Sequence, residues 1–345
     1  MKGFGMIDTG KVGWLDIPEP TLDDPSGVLI DITAVAPCTT DVHLVKSGVS
    51  ILRGNVIGHE AIGIVSEVGE SVKDFKKGDR VLVPDFSPNF GDFASQDGMA
   101  NRSPNSSRMF DPNMDGLFTQ RVLFKRADSG LAHIPDNVTD EQALMVADMV
   151  PTSFKAIDFL DVQFGETVAV IGIGPVGLTG VEGLSIKGAA KIIAVGSRPI
   201  TKNVAKEYGA SVILDYHDGP IVDQIIKAND GKKVDKVLIA GGNTDVVKDA
   251  FNVTRPGGKI ANVAVFVVPE LAIPTSGETF DIAYQAITIG AGRLFLERLL
   301  SLISYGRIHP ERIITKTYHG FDKIPESFEY MTDKGPDTIK AIVIY

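Results

Sequence analysis

The sequence predicts an α/β chain in two parts: a β-rich stretch of about 150 residues, then a doubly wound parallel sheet with helices on both faces. Three observations predict it. The 345 residues exceed what one core usually holds, since domains run to roughly 100–200 residues. Before residue 150, short β-branched runs are bounded by Gly, Pro and Asp, the punctuation of strands and turns. After it, nearly continuous Val/Ile runs alternate with helical patterns, as a parallel sheet covered on both sides demands.

Taken in order, GVLIDITAVAP, EAIGIVSEVG and GDRVLVP read as strands of the first part. Residues 85–117 are rich in Ser, Asn, Asp, Pro and Gly and carry no period, so they read as a long excursion rather than an element. The second part runs ETVAVIGIG (strand), PVGLTGVEGLSIKG (helix), AAKIIAVGS (strand), TKNVAKEYG (helix) and ASVILDY (strand). It continues through VDKVLIAGG, the helix-like TDVVKDAFNVTRPGG and KIANVAV. An amphipathic stretch, RLFLERLLSLISYG, and a strand, KAIVIY, close the chain.

Lys and Arg number 34 against 44 Asp and Glu, a net charge of −10, which repels phosphate backbones and anionic lipid. Nucleic acid and membrane are therefore not expected as partners. A single cysteine allows no intramolecular disulfide and fits a reducing compartment. The N-terminus lacks the apolar core of a signal peptide, and no run reaches the ~18 apolar residues of a membrane span. A soluble, cytoplasmic protein is expected.

Gly172, Gly174 and Gly177 stand as G-I-G-P-V-G between an apolar strand and a helix, with a second strand at the right distance. Such a turn lets a backbone approach a pyrophosphate at a helix N-terminus, so Gly172, Gly174, Pro175, Val176 and Gly177 are expected to bind a dinucleotide. About twenty residues on, where a ribose-binding carboxylate usually stands, this chain has Gly196, Ser197 and Arg198. Glycine leaves room for a 2′-phosphate and arginine offers a charged fork, which favours NADP over NAD. The alternative at this stage is that Arg198 is only a solvated cation.

Cys38, His59, Glu60 and Asp148 provide thiolate, imidazole and carboxylate, a set suited to zinc with an open coordination place. Each also has a plain structural reading: a buried thiol, a core histidine, a capping acid. From the residues alone both stay open.

GHEAIGIVSEVG, KKGDRVLVP and the G-I-G-P-V-G turn resemble the medium-chain zinc-dependent alcohol dehydrogenase family, and APCTTDVH, ADM, GSRP and AGGN resemble its NADP-dependent secondary-alcohol branch. The resemblance spans the chain. It implies a β-rich GroES-like catalytic domain over 1–150, a Rossmann cofactor domain over 151–291, and a segment over 292–345 that returns to the catalytic domain. It implies one catalytic zinc on Cys38, His59 and Asp148, with Glu60 as an exchangeable fourth ligand. Zinc with a thiolate and one carboxylate is neutral, so adding Glu60 would make the site anionic and easy to displace. The structural zinc of many relatives is not expected, because 85–117 contains no cysteine.

The implied chemistry is reversible hydride transfer between NADP(H) and a small secondary alcohol or ketone (or aldehyde). Thr40 and His43 match the family's proton relay, Asp41 the acid that orients the ligand histidine, and Tyr216 a further contact near the 2′-phosphate. A cytoplasmic homotetramer is implied. Two departures bear on the substrate: Asp85 where the branch tends to a small apolar residue, and a shortened segment around Gly290 to Arg293. A polyol or diol dehydrogenase of the same superfamily is the alternative, and a zinc-free quinone-reductase-like protein a more distant one.

Overall fold

The computed structural model describes residues 1–47, 53–104, 106–108, 116–266, 268–275 and 277–345. The chain divides into two compact units, Met1–Pro151 with Gly290–Tyr345, and Thr152–Ile289.

In the first unit a sheet of seven strands has the order Ile314–His319, Lys340–Ile344, Val28–Val35, Ala61–Val68, Arg80–Val83 and Ala132–His133, with Arg121–Phe124 also paired to Val28–Val35. Only the first pair is parallel. Lys2–Asp8 and Lys11–Asp16 form a separate hairpin. Phe4, Met6, Ile30, Ile57, Leu117, Phe118 and Phe124 build the core. The last strand, from the end of the chain, lies beside Val28–Val35, with Val343 opposite Val35. That register carries residue 340 into the interior.

The excursion at 85–117 is described except at 105 and 109–115, and it holds local structure that the composition did not suggest. A short helix Phe93–Gln96 and a strand pair, Phe86–Ser87 with Ser107–Arg108, interrupt it. Asp92 caps the helix by accepting from Ser95 N at 2.9 Å, and the Ser103 hydroxyl donates to the same carboxylate. Ser103 Oγ in turn accepts from Asn89 N at 3.3 Å. Polar ties of this kind offset part of the loop's ordering entropy where no cysteine cluster exists.

The second unit contains six strands, all parallel, in the order Val212–Leu214, Lys191–Val195, Thr167–Ile171, Val234–Ile239, Thr254–Asn262 and Ala283–Ala286. The chain starts in the middle, builds outward on one side, then returns to build the other, so the winding reverses between Thr167–Ile171 and Val234–Ile239. Ligands of such sheets bind at that reversal, beyond the carboxyl ends of the strands. Ala169, Ile171, Ile193, Val237 and Ile239 are buried among side chains of the covering helices such as Ile225, Val247 and Phe251. One expected element is shorter than read. The helix Asp245–Val253 ends before TRPGG, which opens the strand Thr254–Asn262: Pro256 cannot donate to a helix ladder, and Gly257 takes a φ of +74°.

Candidate metal centre and cofactor cleft

Cys38 stands just before the helix Thr39–Ser47. Its backbone N–H donates to Asp41 Oδ2 at 2.9 Å, and its Sγ accepts from the backbone N–H of Thr40 at 3.4 Å. His59 and Glu60 follow Gly58, whose φ is +92° and where an added Cβ would lie 2.3 Å from the Phe118 ring. Only glycine fits there, and this holds the next two side chains inward. Asp148 comes four residues after the helix Asp140–Leu144, which Thr139 and Gln142 cap reciprocally.

These elements bring together the four predicted ligands, with one donor atom from each of Cys38, His59, Glu60 and Asp148 lying within 4.8 Å of the others. Asp148 Oδ2 is 3.4 Å from both Cys38 Sγ and His59 Nε2, and His59 Nε2 is 3.9 Å from Glu60 Oε1. The other imidazole nitrogen, Nδ1, lies 3.0 Å from Asp41 Oδ1. Asp41 thus holds the tautomer that leaves Nε2 a lone pair for a metal.

Electrostatics follow from burial. Cys38 is pushed up first by desolvation and then by the Asp148 carboxylate. Burial works to lower His59, yet Asp41 and then Asp148 hold it well above the ordinary imidazole range. Glu60 is raised to about 7 by burial, against the pull of Lys340. Without a cation, then, the cluster strains toward its protonated forms, whereas a divalent ion favours the deprotonated ligands.

Lys340 was not anticipated from the sequence. Its ammonium donates to Glu60 Oε1 at 2.6 Å, with the two side chains 1% and 0% exposed. It corrects the charge count made from the sequence. Cys38, Glu60 and Asp148 ionised give −3 and Lys340 adds +1, so the group carries −2, the complement of a divalent cation. Glu60 Oε2 is buried and has no hydrogen-bond partner among the described residues, a costly state unless something else engages it. Donor chemistry and charge both fit zinc. The available signal was a lysine opening a strand, Lys340–Ile344, that is otherwise apolar.

On the helix that follows Cys38, Thr40 and His43 are spaced i, i+3 and share one side. His43 is exposed, and Thr40 is partly buried. Arg293 donates to Asp74 Oδ2 at 2.6 Å and to Glu297 at 2.8 Å, and its guanidinium lies 5.1 Å from the Phe75 ring centroid. The segment at 290–293 is thus tied down at Arg293. Asp85 lies half-buried just beyond the strand Arg80–Val83.

In the second unit a cleft of about 580 Å³ is lined by Gly172, Gly174, Gly196, Ser197, Arg198 and Tyr216 among others. Pro175, Val176 and Gly177 are not among its lining residues; they form the first turn of the helix Pro175–Lys187. Pro175 has no N–H, which leaves Val176 and Gly177 with the free donors. The three glycines serve different ends. Gly172 has a φ of +92°, an added Cβ at Gly177 would lie 1.9 Å from Gly172 O, and a Cβ at Gly174 would meet nothing within 4 Å. The first allows the turn, the third allows close packing, and the middle one leaves space for a ligand.

Ser197 Oγ donates to Tyr216 Oη at 2.9 Å, and burial pushes Arg198 down against the influence of Tyr216. For Gly196 the structure adds a packing constraint. An added Cβ would lie 2.2 Å from Ile173 Cγ1, so the side chain is missing because Ile173 occupies its direction, and a ribose-binding carboxylate is excluded by packing.

Comparison with known proteins places this geometry. Residues 24–136 match the alcohol dehydrogenase GroES-like domain family and residues 175–296 the zinc-binding dehydrogenase family. The NADP-dependent isopropanol dehydrogenase of Thermoanaerobacter brockii is 44% identical over 100% of this chain and 99% of its own. That of Clostridium beijerinckii is 41% identical over 100% of both. Among solved structures, the alcohol dehydrogenase from Thermus sp. ATN1 superposes with a TM-score of 0.91 at 25% identity, over 100% of this chain and 99% of that one.

Proposed function

Because the chain belongs to the medium-chain zinc-dependent alcohol dehydrogenases, in their NADP-dependent secondary-alcohol branch, we propose that Cys38, His59 and Asp148 hold its catalytic zinc, with Glu60 as the exchangeable ligand. The protein is an oxidoreductase that moves a hydride reversibly between NADP(H) and a small secondary alcohol or ketone. The observation that carries the site is the convergence of the four ligand atoms with a charge of −2 once Lys340 is counted. A quinone-reductase-like protein without zinc would have no use for it.

Bound there, zinc supplies Lewis acidity to the alcohol oxygen. The rest falls to this chain. Asp41 fixes the His59 tautomer. Lys340 holds Glu60 through Oε1, the oxygen that lies 3.9 Å from His59 Nε2, and so fixes the carboxylate beside the other ligands. As hydride leaves the carbinol carbon, the hydroxyl proton passes to Thr40 and on to His43, which stands in solvent. In the second unit Val176 and Gly177 present N–H groups to the pyrophosphate, and Ser197, Arg198 and Tyr216 take the 2′-phosphate.

Assembly as a homotetramer and a cytoplasmic location rest on the family resemblance. No helix among the described residues is long and apolar enough to cross a membrane. The test combines metal analysis with kcat/KM for NADPH and NADH on short secondary alcohols, their ketones and a set of polyols. One zinc per chain, a preference for NADPH and faster turnover of the simple alcohols are expected. No metal with full activity, or a preference for NADH or for polyols, overturns the reading.

A further inference from the structure

The first unit holds a cleft of its own, of about 570 Å³, a volume that suits a small molecule. Its walls come from the hairpin of Lys2–Asp8 and Lys11–Asp16, the helix Thr39–Ser47 and the helix Ile324–Thr332, all within one compact unit. Gly10 N, in the hairpin turn, donates to Val45 O at 3.1 Å, which ties the hairpin wall to the first helix.

The inner surface is aromatic and aliphatic. Among its lining residues, Phe4 meets Trp14 edge to face with ring centroids 5.5 Å apart and meets Phe328 at 5.8 Å. Val42 and Val45, buried on their helix, continue the wall. Trp14 is nonetheless 38% exposed, so a large aromatic side chain stands open to the cleft where an apolar ligand would cover it.

Charge also lies on the lining. Glu329 and Asp333 bring two carboxylates on successive turns, Asp333 N donating to Glu329 O at 2.9 Å, and Lys46 brings one ammonium. All three are exposed, and none joins an ion pair among the described residues. Three features select the sign of a ligand. Carboxylates outnumber the ammonium, aromatic faces attract cations rather than anions, and the chain as a whole carries −10, which draws cations toward its surface.

We propose that this cleft binds an organic cation with an apolar tail, an alkylammonium, its tail against Phe4, Trp14 and Phe328 and its charged head at Glu329 and Asp333. The site is separate from the metal centre and the cofactor cleft and stands whether or not their assignment does.

The test titrates the zinc-loaded enzyme with octyltrimethylammonium, whose head group can neither ligate zinc nor donate a hydrogen bond. Trp14, the only tryptophan, reports binding by its fluorescence. Saturable binding at one site per chain is expected. Hexyltrimethylammonium should bind about fifteenfold more weakly, because each buried methylene is worth roughly fourfold in affinity. Glu329→Gln with Asp333→Asn should weaken binding by about fivefold, the worth of two exposed carboxylates. Lys46→Met should tighten it, and Thr332→Phe, which puts a ring on the lining, should abolish it.

Unsaturable or undetectable binding overturns the proposal, as does an affinity that neither the carboxylate pair nor Lys46→Met alters. Displacement of the probe by NADP⁺ or 2-propanol overturns it too, by placing the probe in the catalytic site. Tighter binding of octanesulfonate than of the cation, lost in Lys46→Met, overturns it in favour of an anion.

Discussion

Replacing Lys340 by methionine removes the positive half of a buried pair and leaves Glu60 in the interior. At 2.6 Å the two charges attract by about 6 kcal/mol at an effective dielectric of about 20. Desolvation offsets part of this, and removing one partner of a buried pair costs roughly 3–5 kcal/mol. In the metal-free protein the carboxyl has an escape. Glu60 titrates near 7 against an ordinary 4.5, so its folded form favours the proton. The stability that this lends is fully present below 4.5 and is lost as pH rises through about 7.

Without Lys340 the carboxyl takes up a proton more readily still, so the penalty should be large at pH 8 and small at pH 5.5. Trp14, the only tryptophan, lies in the same unit as the pair, and its fluorescence in urea reports that unit's unfolding. We expect Lys340→Met to lose about 3 kcal/mol at pH 8 and less than half of that at pH 5.5. Adding Glu60→Gln should recover on the order of 2 kcal/mol, because both charges are then gone. A loss below about 1 kcal/mol at pH 8, equal losses at both pH values, or simple additivity would refute the reasoning.

Cys38→Ser exchanges a soft thiolate for a weak ligand of similar size, so metal analysis should show zinc lost and activity abolished with the circular dichroism spectrum retained. Two zincs per wild-type chain would contradict the single site. Thr40→Val should lower kcat for alcohol oxidation by roughly 10²- to 10⁴-fold; unchanged turnover and pH dependence would route the proton elsewhere. Arg198→Ala should cost about ten- to a hundredfold in kcat/KM for NADPH and little for NADH. Gly196→Asp by itself should lower the melting temperature, given the 2.2 Å approach to Ile173; coenzyme preference should move toward NADH only when Ile173→Ala and Arg198→Ala accompany it.

Much of this protein is legible along the chain because the decisive patterns are local. The alternation of Val/Ile runs with helical periods specifies a parallel sheet wherever it is read, since both faces of each strand must be covered. The turn from Gly172 to Gly177 declares itself in six residues, because tight turn, open approach and close packing each require a missing side chain at a fixed offset. The ligand types Cys38, His59, Glu60 and Asp148 could be named from chemistry and family likeness, and so could Asp41.

What the tertiary structure decided depends on contacts distant in sequence. Lys340 meets Glu60 across 280 residues because the last strand pairs with Val28–Val35, and no local pattern encodes that register. It changes the charge argument about Glu60: Lys340 balances the carboxylate, so excess negative charge no longer argues for its exchange. Ile173 stands where a side chain on Gly196 would go, an approach that the sequence does not reveal. Lys334 reaches Thr39 from the opposite end of the chain. In each case the sequence supplies the group and its chemistry, but the energy of a buried or fixed charge is set by what surrounds it, and folding alone assembles those surroundings.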